Sequence, residues 1–461
     1  MALVGIPKTD KQMNTICAIS TAVGTAGIAI IRVSGPEAIM LTDKLFRGRK
    51  PLAQASANTI HYGEIVCGRE TLDQVLCSVF RAPHSFTGED VVEIACHGSR
   101  YIQQTILRAL IDAGCHQAGP GEFTQRAFLN GKLDLTEAEA VADLIAAQSK
   151  AEKDMALAHL KGGVSSELKQ LRDHLLTLTS LVELELDFAD HEELEFADRS
   201  ELAELAETIR QKLTQLIDSF RLGNAVKNGI PVAIVGPTNA GKSTLLNALL
   251  GEEKAIVSDI PGTTRDTIED CLYIHDLQFR FIDTAGLRET TDAIETIGIQ
   301  RTLAAAEKAQ IILCVQSLTD NIPLDERAIA NWKQAGKSVL RIFNKADLVP
   351  PQYAEEQPDT LFLSAKFDSL EPLKEAIYSA AGISADSHEL ATAISSGRHY
   401  EALVRAREAI LRVGQGLQDE LSGEFLSMDL QDCLSAIGEI TGEITNDEVL
   451  GNIFSKFCIG K

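Results

Sequence analysis

Hydrophobic and polar positions change their period three times along this chain of 461 residues. Up to about residue 133, apolar residues come in short β-branched runs. Ile28–Val33, Leu76–Phe80 and Val91–Ala95 predict strands, and Tyr101–Ala113 carries helical spacing that stops at Gly114. From Asp134 the text turns helical. Thr136 and Glu139 stand at capping-box spacing before Ala140–Ile145, and the period continues to about 220 with a break at Gly162-Gly163. At Ile230 an apolar run leads into a glycine loop. Strand and helix patterns then alternate to about 380, as a parallel α/β sheet requires. A small-residue polar stretch, 382–397, precedes a second helical block, 398–461.

These periods predict an α+β domain over 1–133 and a helical domain in two pieces, 134–228 and 386–461. An α/β domain, 229–385, is inserted between the pieces. Insertion is plausible because the ends of a domain often lie close together.

Length alone gives about three domains at roughly 100–200 residues each. Apolar residues at 45% and charged residues at 24% are ordinary globular composition. The net charge of −23 opposes a chain that coats nucleic acid or anionic membrane by bulk charge. Two local runs depart from the mean. Glu183–Glu207 holds eleven carboxylates and one arginine, a solvated helix face and loop. Lys44–Lys50 holds four cations in seven residues, which fits either a solvated loop or a nucleic-acid contact. Nine cysteines with no C-x-x-C pair read as reduced thiols of a cytoplasmic protein rather than disulfides or a zinc site. The uncharged stretch Gln12–Ile31 is broken by Ser20, Thr21, Gly24, Thr25 and Gly27, so it reads as strand, loop and strand, not as a membrane span. No charged leader with a cleavage site precedes it, so no secretory signal is expected.

Gly236-Pro-Thr-Asn-Ala-Gly-Lys-Ser243 has the spacing of a phosphate-binding P-loop between a strand and a helix. Its glycines let backbone N–H groups of the loop, from Asn239 through Thr244, face phosphate oxygens, and the helix N-terminus adds positive potential. Lys242 brings a point charge to the β/γ-phosphates, and Ser243 offers a hydroxyl to Mg²⁺. Asp283-Thr-Ala-Gly286 follows a strand-like run; Asp283 can act through the metal's shell and the Gly286 N–H can reach a γ-phosphate. Asn344-Lys345-Ala-Asp347 follows another such run. The Asp347 carboxylate can accept from guanine N1–H and the 2-amino group, which adenine does not offer. Ser364-Ala365-Lys366 fits a loop closing on the base. In this order and spacing the elements predict a GTP-specific domain.

Leu287 stands where many small GTPases carry the glutamine that orients the attacking water. Arg265 and Arg288 are the nearby arginines, both in loops. A monovalent cation can replace an arginine finger, because phosphoryl transfer needs positive charge where oxygen charge develops. Asn239 with Ser258, Ile260 and Thr263 offers side-chain and carbonyl oxygens for K⁺, so K⁺-stimulated hydrolysis is expected.

With Thr263-Thr-Arg-Asp266, the set resembles the translation-factor-related GTPases. That resemblance makes Thr264 the switch threonine on Mg²⁺. The whole chain resembles the MnmE (TrmE) family of tRNA-modifying GTPases. The specific matches are Ser85-Phe-Thr-Gly-Glu-Asp90, Gly121–Phe128, Gly131-Lys-Leu-Asp-Leu135 and Phe457-Cys-Ile-Gly-Lys461. The resemblance implies a folate-binding-like N-terminal α+β domain that dimerises the chain, and a helical domain carrying an inserted Ras-like P-loop GTPase domain. It implies work with an FAD-binding partner, MnmG, to place an aminomethyl-type group, carboxymethylaminomethyl, on C5 of wobble uridine 34 in certain tRNAs. The one-carbon unit comes from 5-formyl- or methylene-tetrahydrofolate. Folate contacts then fall on Arg32, Glu93, Lys132 and Lys461, catalytic roles on Glu295 and Lys242, and a thiol near the folate on Cys458. No membrane association is implied. One departure stands out: Thr21–Gly27 replaces the proline- and arginine-bearing loop the family often shows. The alternative reading is a GTP-switched RNA or ribosome assembly factor without modifying activity, since the GTPase motifs alone serve both.

Overall fold

The computed structural model describes residues 14–22, 24–187, 199–251, 270–282, 304–319, 325–349, 360–383, 387–445 and 447–460. The chain forms two compact units. One takes Met1–Ala146, Ala156–Ile217 and Arg398–Lys461; the other takes Ala147–Met155 and Asp218–Gly397. No helix among the described residues is long and apolar enough to cross a membrane.

The first unit opens with β1 (Ile16–Ile19), β2 (Ala26–Ser34), α1 (Ala38–Leu45), β3 (Phe46–Gly48), β4 (Thr59–Cys67), β5 (Glu70–Phe80), β6 (Val91–Gly98), α2 (Arg100–Asp112) and β7 (His116–Gln117). The strands form one sheet in the order β3-β4-β5-β6-β2-β1-β7. The predicted strands and helix are all present. Alternation along each strand sends Ile31, Val33, Val75, Cys77, Val79, Val92 and Ile94 to one face, where they pack with Ile106 and Leu110 of α2. Among the described residues the other face is covered at its β1 end, where α3 (Glu122–Leu129) lays Phe123 against Ile16, Ala18 and Ala118. Farther along that face Ile60, Tyr62 and Leu76 are exposed, with Tyr62 directly opposite Leu76.

The helices α4 (Leu135–Ala146), α5 (Lys150–Leu160), α6 (Gly163–Asp187) and α7 (Arg199–Asn228) follow. The capping box at the start of α4 is built by Asp134 and Glu137, not by Thr136 and Glu139. Asp134 Oδ1 accepts from the Glu137 N–H at 2.9 Å, and Glu137 Oε2 accepts from the Asp134 N–H at 2.9 Å. Glu139 is free for tertiary use because a carboxylate at N3 of the real cap already satisfies the orphan donor. The helix break falls where the glycine pair predicts it; Gly162 takes a left-handed φ of 87° between α5 and α6.

The second unit holds β8 (Ile230–Val235), α8 (Lys242–Gly251), β9 (Asp270–Ile274), β10 (Leu277–Phe281), β11 (Ile311–Ser317), α9 (Glu326–Gln334), β12 (Ser338–Asn344), β13 (Thr360–Phe362), α10 (Glu371–Ala381) and α11 (Ser387–Thr392). Its sheet runs β13-β12-β11-β8-β10-β9. Every neighbouring pair is parallel except the edge pair β10 and β9. β8 is flanked by β10 on one side and β11 on the other, so the chain reverses its direction of travel across the sheet there. In open α/β sheets a ligand crevice lies at that switch point, beyond the carboxyl ends of the strands. The helix α11 lies inside the stretch read as a polar connection; its Leu390 joins the unit's core, which the scattered small residues around it conceal.

The first unit is completed by α12 (Gly397–Gln418), α13 (Gly423–Thr441) and α14 (Asp447–Phe454). Arg398 ties α12 to α4 and α13. Its Nε donates to Glu139 Oε1 at 3.1 Å, Nη1 to Glu439 O at 2.6 Å and Nη2 to Ile440 O at 3.2 Å. His399 Nε2 lies 2.8 Å from the other oxygen of Glu139.

Candidate functional site

The phosphate loop hangs from β8, whose residues alternate between two buried faces of the sheet. Gly236 leaves the strand with φ 151°, and a Cβ there would lie 2.0 Å from Val315 O on β11. Gly241 takes φ 88°, and a Cβ there would lie 2.2 Å from Asn344 Nδ2. Only glycine fits either place, so the motif's two glycines answer to backbone packing as well as to phosphate access. Asn239, between them, is exposed and holds a left-handed φ of 64°. Strain of this kind in a non-glycine residue persists where the surroundings over-determine it.

Lys242 opens α8 and its Nζ donates to Gly236 O at 2.9 Å and Pro237 O at 2.7 Å, spanning the loop it belongs to. Burial pushes its pKa down. Ser243 is half-buried, Thr244 is exposed, and Ala240 is fully buried.

The guanine-reading elements meet this loop through Asn344. Its Nδ2 donates to Ala240 O at 3.0 Å, and its Oδ1 accepts from Lys345 N at 2.8 Å and Ala365 N at 3.0 Å. One buried amide thus joins the phosphate loop, the β12 end and the Ser364–Lys366 loop. Lys345 holds a left-handed φ of 64°, after which Asp347 stands exposed in a short 3₁₀ turn. Ser364 and Ala365 are buried, while Lys366 is exposed and sits 5.1 Å from the centre of the Phe367 ring. Asp368 was not singled out from the sequence, yet its Oδ2 accepts from Ser364 N at 2.7 Å and shapes the loop. The bond runs back four residues along the chain, and spacing alone did not mark it.

Ser258, Ile260, Thr263, Thr264, Arg265, Asp283, Gly286, Leu287, Arg288 and Glu295 lie outside the described residues, as does Lys461.

A second cluster lies on the outer face of the first unit's sheet. Arg32 and Glu93 are register partners on β2 and β6. Arg32 Nε and Nη2 donate to Glu93 Oε1 at 3.0 and 2.8 Å. The guanidinium also lies 5.4 Å from the centre of Phe86 and 5.6 Å from that of Phe123. Lys132 is exposed and donates to Pro83 O at 3.3 Å. The segment 458–460 is laid against the same end of the sheet. Ser20 Oγ donates to Gly460 O at 3.0 Å, Gly121 N donates to Cys458 O at 3.3 Å, and Ile459 forms a bridge with Pro120. Cys458 is exposed.

The glutamate and arginine of the Ser85–Asp90 and Gly121–Phe128 motifs hold this cluster in shape. Arg126 is buried; its Nη1 reaches Glu89 Oε1 at 3.2 Å and Asn14 O at 2.8 Å, and its Nη2 reaches Glu122 Oε1 at 3.0 Å. Glu89 in turn accepts from Ser34 Oγ at 2.7 Å. Reading the motifs as text missed this role, because only the fold brings residues 37 positions apart into one ion pair.

Comparison with known proteins covers nearly the whole chain. The family described as GTP-binding protein TrmE N-terminus matches residues 15–132, and the family described as MnmE helical domain matches residues 135–458. A protein of Parabacteroides distasonis named tRNA modification GTPase MnmE is 53% identical over 97% of this chain and 100% of its own length. Relatives of the same name from Bacteroides thetaiotaomicron and Bacteroides fragilis are 50% and 49% identical, each over 98% of this chain and 100% of their own length. Both halves of the first unit and the intervening P-loop unit therefore carry one family's arrangement, and the chain belongs to the MnmE (TrmE) family.

Proposed function

We propose that this chain is a tRNA modification GTPase. It hydrolyses GTP on the loop between β8 and α8 and uses that cycle in placing a carboxymethylaminomethyl-type group on C5 of wobble uridine 34. The observation that carries the nucleotide part is the Asn344 junction. It sets a phosphate loop and a base-reading loop against each other at the switch point of the sheet. The curated relatives bear the name tRNA modification GTPase over their full length, which supports the rest.

The residues present fit a nucleoside triphosphate with Mg²⁺. Gly236 and Gly241 have no room for side chains, so the loop backbone can approach phosphate closely. Lys242 provides an ammonium, and Ser243 a hydroxyl that would hold the metal. Bound Mg²⁺ supplies positive charge to the phosphate oxygens. Lys242 then offsets charge developing on the β/γ-phosphate oxygens, and the oriented loop N–H groups add to this without reorganising. Asp347 selects guanine. On this reading Thr264 reaches the same Mg²⁺ and Glu295 orients the attacking water. The Asn239 side chain, with Ser258, Ile260 and Thr263, would hold K⁺. Matched assays in NaCl and KCl test the K⁺ part, and equal turnover in both removes it.

The Arg32–Glu93 pair would bind the folate. A carboxylate can accept from the aminopyrimidinone edge of a pterin as Asp347 does from guanine, and Phe86 and Phe123 offer aromatic faces beside it. Lys132 and Lys461 would meet the glutamate tail, and Cys458 lies on the segment laid beside this site. A second copy of the chain would cover the outer face of the sheet, where Ile60, Tyr62 and Leu76 are exposed. The remaining partners in this reading are the FAD-binding MnmG and tRNA, in the cytoplasm.

Nucleoside mass spectrometry of tRNA from cells with and without the chain tests the whole. Loss of a 5-aminomethyl-type wobble uridine, restored by the wild type and not by Asp283→Ala, is the expected result. An unchanged nucleoside profile moves the assembly-factor reading to the front.

A further inference from the structure

Nine arginines of this protein are neutralised at home. Arg32, Arg126, Arg172, Arg199, Arg210, Arg341, Arg398, Arg405 and Arg412 each sit within 4.0 Å of a carboxylate. The strap joining α1 to the 3₁₀ turn Leu52–Gln54 gathers four cations without such partners in seven residues. Lys44, Arg47, Arg49 and Lys50 are all exposed, and none of them is paired with a carboxylate among the described residues.

The strap is also held firmly. Phe46 and Leu52 are buried at its two ends. The ring of Phe46 fills the space that the facing pair Gly48 and Gly63 leaves open; a Cβ on either would lie 2.5 Å from that ring. Asp43 Oδ1 accepts from Leu52 N at 2.6 Å, and Glu64, the register partner of Arg47 on β4, accepts from Thr71 Oγ1 at 3.3 Å, so both neighbouring carboxylates have partners of their own. Arg81 donates to Ala53 O and Ala55 O, each at 3.0 Å, and braces the far side. Arg47 Nη1 donates to Lys44 O and Phe46 O at 3.0 and 2.9 Å. That leaves the other guanidinium edge outward. The cations lie at the end of a sheet whose edge strand is β3.

Four cations concentrated on a braced strap form a local positive charge in a chain whose net charge is −23. We propose that Lys44, Arg47, Arg49 and Lys50 form the protein's own contact to the phosphate backbone of tRNA. The inference rests on the tRNA reading above and adds where the chain touches its nucleic acid. The run Lys44–Lys50 offers no exposed aromatic ring for a base to stack on, since Phe46 is buried, and its charge suits the phosphate backbone.

The test is the salt dependence of binding between the full-length chain and an unmodified tRNA transcript with uridine at the wobble position. Each lost phosphate contact lowers the slope of log K against log salt by roughly 0.7–0.9. The triple substitution Lys44→Gln, Arg49→Gln, Lys50→Gln should reduce the slope by about 2 and weaken binding at least about tenfold at 50 mM salt. The swap Arg49→Lys with Lys50→Arg should keep both. GTP turnover without tRNA and the thermal midpoint should not move in either variant. Unaltered binding by the triple variant overturns the proposal while leaving the tRNA reading to the nucleoside assay. So does a wild-type chain that binds phosphatidylserine vesicles and not tRNA through these residues. If the nucleoside profile is also independent of the chain, the tRNA reading falls with it.

Discussion

The side-chain amide of Asn344 donates to the carbonyl of Ala240 at 3.0 Å while its oxygen accepts from the N–H of Ala365. The residue is 3% exposed, so both partners are shielded from water at the bond. Their relationship makes the phosphate loop and the base loop a single object rather than two neighbours.

Asn344→Ala should therefore injure binding and stability together. It leaves a buried carbonyl and a buried N–H without partners, which costs on the order of 2–4 kcal/mol for the two. The affinity for a fluorescent GTP analogue should fall more than tenfold, and the midpoint of thermal unfolding should drop. If the melt drops and nucleotide affinity holds, the amide serves stability alone.

Asp347→Asn tests base selection. The exposed carboxylate has no partner among the described side chains that would keep it from a purine edge. An amide there offers a donor where guanine also presents donors, so kcat/KM for GTP should fall at least about a hundredfold. Xanthosine triphosphate, which presents a carbonyl in place of the 2-amino group, should recover much of it. Equal loss with both nucleotides would mean that the aspartate shapes the turn and does not read the base.

Arg126→Met isolates the buried ion cluster of the first unit. The substitution keeps the apolar stem but strands Glu89 and Glu122 around an apolar group. Breaking a buried pair in this way typically costs about 3–5 kcal/mol. Thermal unfolding of the first unit should shift strongly downward, with GTP affinity of the second unit unaltered. A shift of under 1 °C would show that Glu89 finds water or another donor.

Glu139 predicts an acid limb of stability. Burial acts to raise its pKa, but His399 and Arg398 outweigh burial and hold the carboxyl at about 2, below its ordinary 4.5. Its contribution is complete above pH 4.5 and is lost as the pH falls from 4.5 toward 2. The shift corresponds to about 3 kcal/mol at neutral pH. The stability gap between the wild type and Glu139→Gln, measured by denaturant titration, should be widest above pH 5 and close steadily below it. A gap that does not vary with pH would show that the charge of Glu139 contributes nothing.

Much of the second unit was legible as text because its chemistry is local. A P-loop needs a strand, a tight glycine loop and a helix in immediate succession, and eight consecutive residues, Gly236–Ser243, encode all three. The strand periods at Ile230 and Val339 were equally direct. The capping box was misread by two positions. Asp134 with Glu137 and Thr136 with Glu139 both have a small polar residue three before a glutamate, and spacing cannot tell which pair caps and which is left for Arg398. The helix Ser387–Thr392 was missed for a related reason: its burial comes from one leucine packing on a distant core.

What the sequence determined by itself was the period of each segment, the identity of the phosphate loop and the family to which the motifs point, since each is written in residues close together. Tertiary structure alone decided that Glu89 and Arg126 neutralise each other and that Asn344 bridges two motifs. It also decided that the strap from Lys44 to Lys50 keeps its charge. These are relations between residues tens to more than a hundred positions apart, or between a charge and the carboxylates that do not reach it. Coulomb and hydrogen-bond energies depend on distance in space, and distance in space is set only when the sheets and helices have packed.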